Sequence, residues 1–199
     1  MRVIGITGGI GSGKSEILAY LREKYNARTD RADDIGRELM EPGTDCFYAI
    51  VERFGPACVS EEGRLRRDWI SRRVFEDERA LEELNAIIHP AVRREVVQRI
   101  EDAKTSGYAF YFLEAALLVE THYDEICDEL WYIYADVETR LARLSQGERG
   151  VPRKKALQVM KSQLSDGMFR ESCDFVVDNS GSFEAACAQI QKRMEQYQI

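Results

Sequence analysis

The chain has 199 residues, of which 44% are hydrophobic and 32% charged, and this globular balance excludes a disordered or collagen-like chain. Its 28 Lys and Arg against 35 Asp and Glu give a net charge of −7, so the overall field repels phosphate backbones and anionic lipid. We therefore expect no nucleic acid and no membrane among its partners.

Cysteine usage and the amino-terminal residues indicate the compartment. The five cysteines form no C-x-x-C pair, and an odd number cannot all be paired in disulfides. Free thiols are typical of a reducing environment. Residues 1–7 lack the apolar stretch of a signal peptide, and no apolar run approaches the length of a membrane span. We expect a soluble, cytoplasmic protein.

The first two predicted elements are a strand and a helix. The β-branched run at residues 3–6 is bounded by glycine and predicts a buried strand. After a glycine-rich loop, residues 17–21 place apolar side chains at helical spacing and predict a helix.

A long helical region follows the first helix and a second strand region, to which the apolar pattern gives no bounds. Residues 34–41 predict a helix that ends at Pro42–Gly43, and residues 44–106 are almost wholly helical in pattern. Because Pro90 suits a first helical turn, we predict a helix boundary near His89. This stretch predicts a helical insertion that forms a subdomain of its own.

Strand patterns return in the second half of the chain. Residues 109–113, 130–135 and 175–177 are nearly continuous apolar runs, and residues 183–197 carry the apolar stripe of a closing helix. Runs that are apolar on both faces and separated by helices predict a parallel sheet covered on both sides. The predicted fold class is α/β, with a parallel sheet flanked by helices.

The strongest motif is GGIGSGKS at residues 8–15, which matches G-x-x-x-x-G-K-[ST] between a predicted strand and a predicted helix. In this P-loop, glycines let successive N–H groups face one anion, the lysine reaches the β- and γ-phosphates, and the serine hydroxyl binds Mg²⁺. The alternative, an ordinary flexible glycine turn, is disfavoured by the combined context. The predicted nucleotide ligands are Gly9, Ile10, Gly11, Ser12, Gly13, Lys14 and Ser15, with Ser15 also on the metal.

A P-loop does not name the reaction. Residues 33–36 match the D-x-x-G of GTPases, but no N-K-x-D follows to bind guanine. Residues 144–147 are only weakly similar to a transporter ATPase signature. A small-molecule kinase fits better, since such enzymes insert a helical acceptor-binding region and a basic lid into the core. The rival from another class is a nucleotide-gated switch protein.

A basic segment supports the kinase interpretation. Residues 140–155 contain six Lys or Arg against Glu148 alone. Arginines stabilise the charge of a transferring phosphoryl group through bidentate hydrogen bonds. Arg140 and Arg143 are one helical turn apart and therefore share a face. A solvated helix surface is the alternative, and the P-loop favours a functional role for some of these residues.

An ordered series of motifs extends over residues 7–181. They are TGGIGSGKS at 7–15, Ala32-Asp33 with Arg37 and Glu41-Pro42-Gly43, Leu84-Asn85 with His89-Pro90, Leu117-Leu118-Val119-Glu120, Arg143, Arg149 and Gln163, and Asp178-Asn179-Ser180-Gly181. In this series the chain resembles the dephospho-CoA kinases.

The resemblance implies a P-loop NTPase core with a helical acceptor-binding region at about residues 31–106 and a lid at about residues 140–165. It also implies ATP and Mg²⁺ as cofactors, and phosphorylation of the ribose 3′-hydroxyl of dephospho-CoA, the last step of coenzyme A biosynthesis. The implied catalytic residues are Asp33, Lys14 and Arg143; the further nucleotide ligands are Arg149 and Asn179; the acceptor ligands are Arg37, His89, Leu117 and Glu114.

Taken from the residues alone, several of these roles have alternatives. Asp33 is a general base or a helix N-cap, and Asp34 beside it suits either part. Glu114 lies near the metal or simply ends a strand. His89 contacts the acceptor or packs at a helix boundary. The arginines at residues 64–73 bind acceptor phosphates or form intra-helix pairs with nearby carboxylates.

Two departures from the family pattern concern the acceptor. Arg31 stands where the family has the first aspartate of D-A-D, and Ala116 replaces a proline before Leu117. A kinase for another alcohol, such as a nucleoside or nucleotide, is therefore the alternative function.

Overall fold

The structure is a computed structural model that describes residues 1–119, 121–147 and 150–197. The chain divides into two compact units. The first is formed by Met1–Asp30 together with Ala103–Ile199, and the second by Arg31–Asp102. The first unit holds the sheet, and the second consists mainly of helices.

The sheet has five strands in the order β2-β3-β1-β4-β5. They are β1 Arg2–Thr7, β2 Ala27–Arg31, β3 Phe110–Glu114, β4 Glu129–Tyr134 and β5 Phe175–Asp178. Strand β1 pairs in parallel with β3 and with β4, and β4 pairs in parallel with β5. In this register Ile6 lies between Glu114 and Trp131. The carboxyl ends of these strands therefore meet at one edge, where open α/β sheets bind their ligands.

Helices cover the sheet and build the second unit. Those of the described ranges are α1 Lys14–Lys24, α2 Ala32–Leu39, α3 Asp45–Phe54, α4 Arg67–Glu76, α5 Glu78–Thr105, α6 Val137–Gln146, α7 Arg153–Lys161, α8 Asp166–Ser172 and α9 Phe183–Met194. Within these ranges no helix is long and apolar enough to cross a bilayer. The predicted α/β class, with a parallel sheet flanked by helices, is confirmed.

The main core lies between one face of the sheet and helices α1 and α9. Its strand residues include Ile4, Phe112, Trp131 and Ile133, which are all fully buried. On the opposite face, the ring of Tyr132 stacks on Phe169 of α8 with the centroids 4.7 Å apart. Burial on both faces explains why β1, β3 and β4 are continuous apolar runs.

The second unit has a smaller core of its own. Ile50 of α3 and Ile70 of α4 are buried with Cys58, and Ile87 and Ile88 of α5 pack against them. Because these helices bury apolar side chains against one another, they form a compact unit with its own core.

The predicted helix boundary near His89 is wrong, because α5 continues through Pro90. A proline inside a helix costs roughly 3 kcal/mol through the lost hydrogen bond and a steric clash. The helix nevertheless packs Ile87 and Ile88 before the proline and buries Val92 after it. Full burial of an Ile or Val side chain contributes roughly 1.5–3 kcal/mol, so the partial burial of Ile87 and Ile88 together with the burial of Val92 offsets the local cost.

Strand β2 has no apolar run, and its sequence ARTDR explains why the pattern does not locate it. Two of its polar side chains, Arg28 and Asp30, are paired within the first unit. Asp30 accepts hydrogen bonds from Arg28 Nε at 3.1 Å and from the hydroxyl of Tyr111 on β3 at 2.8 Å.

A buried carboxylate at the amino end of β4 ties the chain termini to the sheet. Glu129 accepts hydrogen bonds from Arg2 at 3.0 Å, from Trp131 Nε1 at 3.1 Å, from Arg193 Nη2 at 2.9 Å and from Tyr197 OH at 2.5 Å. Burial raises the pKa of the Glu129 carboxyl, but the hydrogen bonds from Tyr197, Trp131 and Arg193 outweigh it and hold that pKa below its ordinary value.

We expect Glu129→Gln to lower the free energy of unfolding at pH 7 by about 2 kcal/mol, because a charged acceptor of several hydrogen bonds becomes neutral. A lowered pKa means that the contribution of Glu129 is present above the unfolded-state pKa and is lost as the pH falls through the folded-state pKa. The difference between wild type and variant in urea unfolding should therefore shrink in acid. Exposed Glu23 supplies the control, and an equal loss in Glu23→Gln would contradict the assignment.

Candidate functional site

The P-loop connects β1 to α1, as the motif predicts, and only glycine fits several of its positions. Gly8, Gly11 and Gly13 have φ values of 147°, 79° and 91°. A β-carbon on Gly8 would lie 2.4 Å from the carbonyl oxygen of Ile133, and one on Gly13 would lie 2.3 Å from Asn179 Nδ2. The loop is therefore held against β4 and against the residue that follows β5.

Lys14 and Ser15 form the first turn of α1. The Nζ atom of Lys14 donates to the carbonyl oxygens of Gly8 at 2.8 Å and Gly9 at 3.2 Å, so the side chain folds back over the loop. Ser15 is exposed at the second position of the helix. Both side chains therefore lie at the positive end of a helix that begins at the loop, which is the position of an anion-binding site.

Two side chains from distant parts of the sequence hold Ile10, at the tip of the P-loop. Its N–H donates to Gln163 Oε1 at 2.9 Å, and its carbonyl oxygen accepts from Arg140 Nε at 2.8 Å. Burial lowers the pKa of the Arg140 guanidinium from its ordinary value. The predicted ligand Ile10 thus has its N–H already engaged by a side chain.

A second pair of side chains holds Ser12. The Nδ2 atom of the fully buried Asn179 donates to Ser12 O at 2.8 Å. Arg143 Nη1 donates to the same oxygen at 3.3 Å, and its Nη2 donates to Asn179 O at 2.9 Å. Arg140 and Arg143 therefore share one face of α6, as their spacing predicts, and that face contacts the P-loop.

The end of β3 lies beside the root of the P-loop. Glu114 pairs with Ile6 in the sheet and is 7% exposed. The next residue, Ala115, donates its N–H to Ile6 O at 3.2 Å. Leu118 is fully buried, whereas the predicted acceptor ligand Leu117 is 48% exposed, which leaves its apolar side chain available at this edge of the sheet.

In the second unit, Asp33 and Asp34 have different surroundings. The N-cap of α2 is Arg31, so Asp33 occupies the second helical position and the N-cap alternative for Asp33 is wrong. Asp34 forms ion pairs with Arg31 and Arg37. Asp33 is exposed, and the contacts found among the described residues include no hydrogen bond or ion pair to it. Of the two carboxylates, Asp33 is therefore the one open to another group.

The other residues predicted to bind the acceptor from the second unit lie on several different elements. His89 lies half-buried in the middle of α5, not at a helix boundary. Two arginines of α4 form pairs four residues apart, as the intra-helix alternative has it: Arg72 with Asp68 and Arg73 with Asp77. Arg64 and Arg67 pair instead with Glu41, which lies outside that helix.

The basic residues of the predicted lid also have different surroundings. Arg153 of α7 forms a two-point ion pair with Glu138 of α6, and both side chains are more than half exposed. The solvated-surface alternative therefore describes Arg153. The predicted ligand Arg149 lies outside the described residues.

The donor set suits a hydrated magnesium ion better than an all-protein cage. Across the described ranges no group of three or more His, Cys, Asp or Glu residues is arranged to hold a metal. Mg²⁺ usually keeps several waters and takes only one or two protein ligands together with substrate phosphates. The Ser15 hydroxyl and the Glu114 carboxylate are oxygen ligands of the required kind.

Comparison with known proteins agrees with the geometry. The family model described as "Dephospho-CoA kinase" matches residues 2–185. The chain belongs to the dephospho-CoA kinase family. It is 39% identical over 191 residues to the dephospho-CoA kinase of Symbiobacterium thermophilum, a match that covers 96% of this chain and 79% of that protein. Membership makes the chain a kinase, an enzyme that transfers phosphoryl groups.

Solved structures support the same fold. TT1252 from Thermus thermophilus is 27% identical with a TM-score of 0.82, and the match covers 100% of this chain and 98% of that one. The dephospho-CoA kinase from Campylobacter jejuni matches with a TM-score of 0.72 at 20% identity, over 98% of this chain and 97% of the other, and this likeness concerns the fold alone. The P-loop NTPase fold that the resemblance implies is thereby confirmed for this member of the family.

The structure also shows contacts that the sequence does not predict. Arg140 and Gln163 both bond to the backbone of Ile10, although they lie 130 and 153 residues away in the chain. The family motif includes Gln163, but no local pattern indicates a contact with the P-loop. Only the parallel order of β1, β4 and β5 brings these segments together.

The close approach at Gly13 can be tested against a control glycine that also has a positive φ but has no neighbouring atom where a β-carbon would lie. Gly13 and Gly63 both have positive φ, but only at Gly13 would a β-carbon meet another atom, Asn179 Nδ2. We expect Gly13→Ala to weaken ATP binding at least about tenfold, since the loop must move to relieve the clash. Gly63→Ala should bind ATP like wild type. Equal affinity of both variants in calorimetry would contradict this account of the loop.

Proposed function

We propose that this kinase transfers the γ-phosphoryl group of ATP to the 3′-hydroxyl of the ribose of dephospho-CoA, the last step of coenzyme A biosynthesis. The observation that carries the proposal is a P-loop contacted by two arginines of α6, in a chain whose residues 2–185 match the dephospho-CoA kinase family. ATP and dephospho-CoA are the proposed substrates. Transfer breaks the bond between the γ-phosphorus and the β–γ bridging oxygen, forms a bond to the 3′-oxygen, and releases ADP.

Residues 8–15 bind the phosphates of ATP in this proposal. Lys14 exchanges its bonds to the Gly8 and Gly9 carbonyl oxygens for bonds to the β- and γ-phosphates, which are charge-assisted and therefore stronger. The backbone N–H groups of the loop and the start of α1 contribute further positive potential. Bound Mg²⁺ supplies further charge neutralisation at the phosphates, and Ser15 and Glu114 would hold it.

Arg143 is the proposed stabiliser of charge on the transferring group. A guanidinium has five N–H donors, so its bonds to Ser12 O and Asn179 O leave donors for phosphate oxygens. Arg149 is proposed to contact the nucleotide from the lid at about residues 140–165. Asn179, which is buried behind the loop, contributes to nucleotide binding by holding Ser12.

Asp33 is the proposed general base. Its exposed carboxylate would accept the proton of the 3′-hydroxyl as the oxygen attacks the γ-phosphorus. Asp34 is already engaged in ion pairs with Arg31 and Arg37, so its carboxylate is less available than that of Asp33 to contact the hydroxyl. Arg37, His89, Leu117 and Glu114 are proposed acceptor ligands, and the region at about residues 31–106 is the proposed acceptor-binding region. We also propose that the enzyme is cytoplasmic and that neither nucleic acid nor a membrane is among its partners.

The acceptor is best tested in an assay that couples ADP release to NADH oxidation, with ATP and Mg²⁺ present. The panel comprises dephospho-CoA, adenosine, nucleoside monophosphates and shikimate, with Lys14→Ala as the inactive control. We expect dephospho-CoA to give the highest rate. A rate with another acceptor alone would identify a kinase of different specificity. The absence of any rate, with ATP still bound, would favour a nucleotide-gated switch.

The two neighbouring aspartates provide a matched pair for testing the base. Asp33→Asn should lower kcat by roughly 10²–10⁴, because proton acceptance is lost while the shape of the side chain is kept. Asp34→Asn should lower kcat much less. ATP affinity, measured by calorimetry, should stay close to that of wild type in both. A larger loss in Asp34→Asn would assign the base to Asp34.

A further inference from the structure

Gln163 lies in the connection between α7 and α8 and forms a closed ring of hydrogen bonds with the P-loop. Its Oε1 atom accepts from Ile10 N at 2.9 Å and from Arg140 Nη2 at 3.2 Å. Arg140 Nε donates in turn to Ile10 O at 2.8 Å. Both polar backbone groups of Ile10 are therefore held by side chains, and those two side chains also bond to each other.

The peptide group between Gly9 and Ile10 transmits this contact to Lys14. In a planar trans peptide the N–H and the C=O point in opposite directions. Gln163 holds the N–H of this group, and the carbonyl oxygen of Gly9 accepts from Lys14 Nζ at 3.2 Å and from Ser12 N at 3.2 Å. Rotation of the peptide plane would disturb the contacts on both sides, so Gln163 and Lys14 are linked through one rigid group.

The local bond from Ser12 N to Gly9 O holds one side of this peptide plane, and Gln163 holds the other. A β-carbon on Gly9 would lie 2.4 Å from Arg140 Nη2, so a side chain at this position would displace the Arg140 guanidinium from its contacts with Ile10 and Gln163. Glycine has the widest backbone freedom of all residues, so the plane on its carboxyl side needs an external constraint. The side-chain oxygen of Gln163 provides that constraint.

We propose that Gln163 is a positioning residue for Lys14. By fixing the Gly9–Ile10 peptide plane, it sets the carbonyl oxygen on which Lys14 Nζ rests, and hence the point from which the lysine reaches the β- and γ-phosphates. The inference rests on the proposed function only in taking ATP as the ligand of the P-loop; it is independent of the acceptor.

Two variants of Gln163 and one matched control test the proposal. Gln163→Met keeps the length of the side chain but has no strong acceptor, and Gln163→Asn keeps the amide but is one methylene too short to reach. Gln158 is exposed on α7, so Gln158→Met is the control. The measurements are the dissociation constants of Mg·ATP and of dephospho-CoA by calorimetry, and KM and kcat for both substrates.

We expect both Gln163 variants to bind ATP about tenfold more weakly than wild type, the loss that follows from removing an acceptor shared by two donors. Their affinity for dephospho-CoA should stay within about twofold of wild type, as should both affinities of Gln158→Met. A purely structural role would instead affect both substrates alike. If Gln163→Met fails to fold, Gln163→Asn decides the question in the same way.

Because Gln163 and Arg140 hold the same residue, their effects should not be independent. The double variant Arg140→Met/Gln163→Met should lose less ATP affinity than the product of the two single losses. Wild-type ATP affinity in both Gln163 variants, an equal loss for both substrates, or strictly multiplicative losses in the double variant would each overturn the proposal.

The proposed function can fail separately from this inference. A wild-type protein that binds ATP but does not phosphorylate dephospho-CoA would contradict the acceptor assignment, while the ATP affinities still decide the role of Gln163. A wild-type protein that does not bind ATP would overturn both proposals.

Discussion

The conformation of the P-loop depends on donors that lie behind its carbonyl oxygens. The carbonyl oxygens of Gly8 and Gly9 accept hydrogen bonds from Lys14. The carbonyl oxygen of Ile10 accepts from Arg140, and that of Ser12 accepts from Asn179 and Arg143. A glycine-rich segment loses much conformational entropy when it becomes ordered, and these hydrogen bonds offset that loss. Because the two polar groups of a trans peptide are opposed, each held carbonyl also turns the N–H of the following residue to the other side. One set of contacts therefore orders the loop and orients its N–H groups.

The parallel sheet explains where these donors come from. Strand β4 pairs with β1, and α6, which carries Arg140 and Arg143, begins three residues after β4 ends. Strand β5 pairs with β4, and Asn179 follows its last residue. Side chains that are more than 120 residues from the P-loop in sequence thus reach it because three neighbouring strands end at the same edge.

The sequence predicts the central strand, the P-loop and the α/β class because local patterns determine them: an apolar run, glycine at left-handed positions, and a strand–loop–helix order. It does not place β2, because that strand has no apolar run and its Asp30 is satisfied by a tertiary contact with Tyr111. It puts a helix end at Pro90, because a local rule cannot include the burial of Ile88 and Val92 on either side. The contacts of Gln163 depend on strand order, which no segment of the sequence specifies by itself.

The order of the strands also has a consequence for the synthesis of the chain. The central strand is made first, but its partners begin at Phe110 and Glu129, and Arg2 completes its contacts with the Glu129 carboxylate beside Tyr197. The cluster of Ile50, Cys58 and Ile70 is formed entirely within residues 31–102. On a ribosome we therefore expect the helical insertion to become compact while β1 is still unpaired, and the sheet to close only when almost the whole chain has emerged. The amino-terminal strand, with its unpaired edges and apolar faces, is then the segment that most needs protection from aggregation during translation.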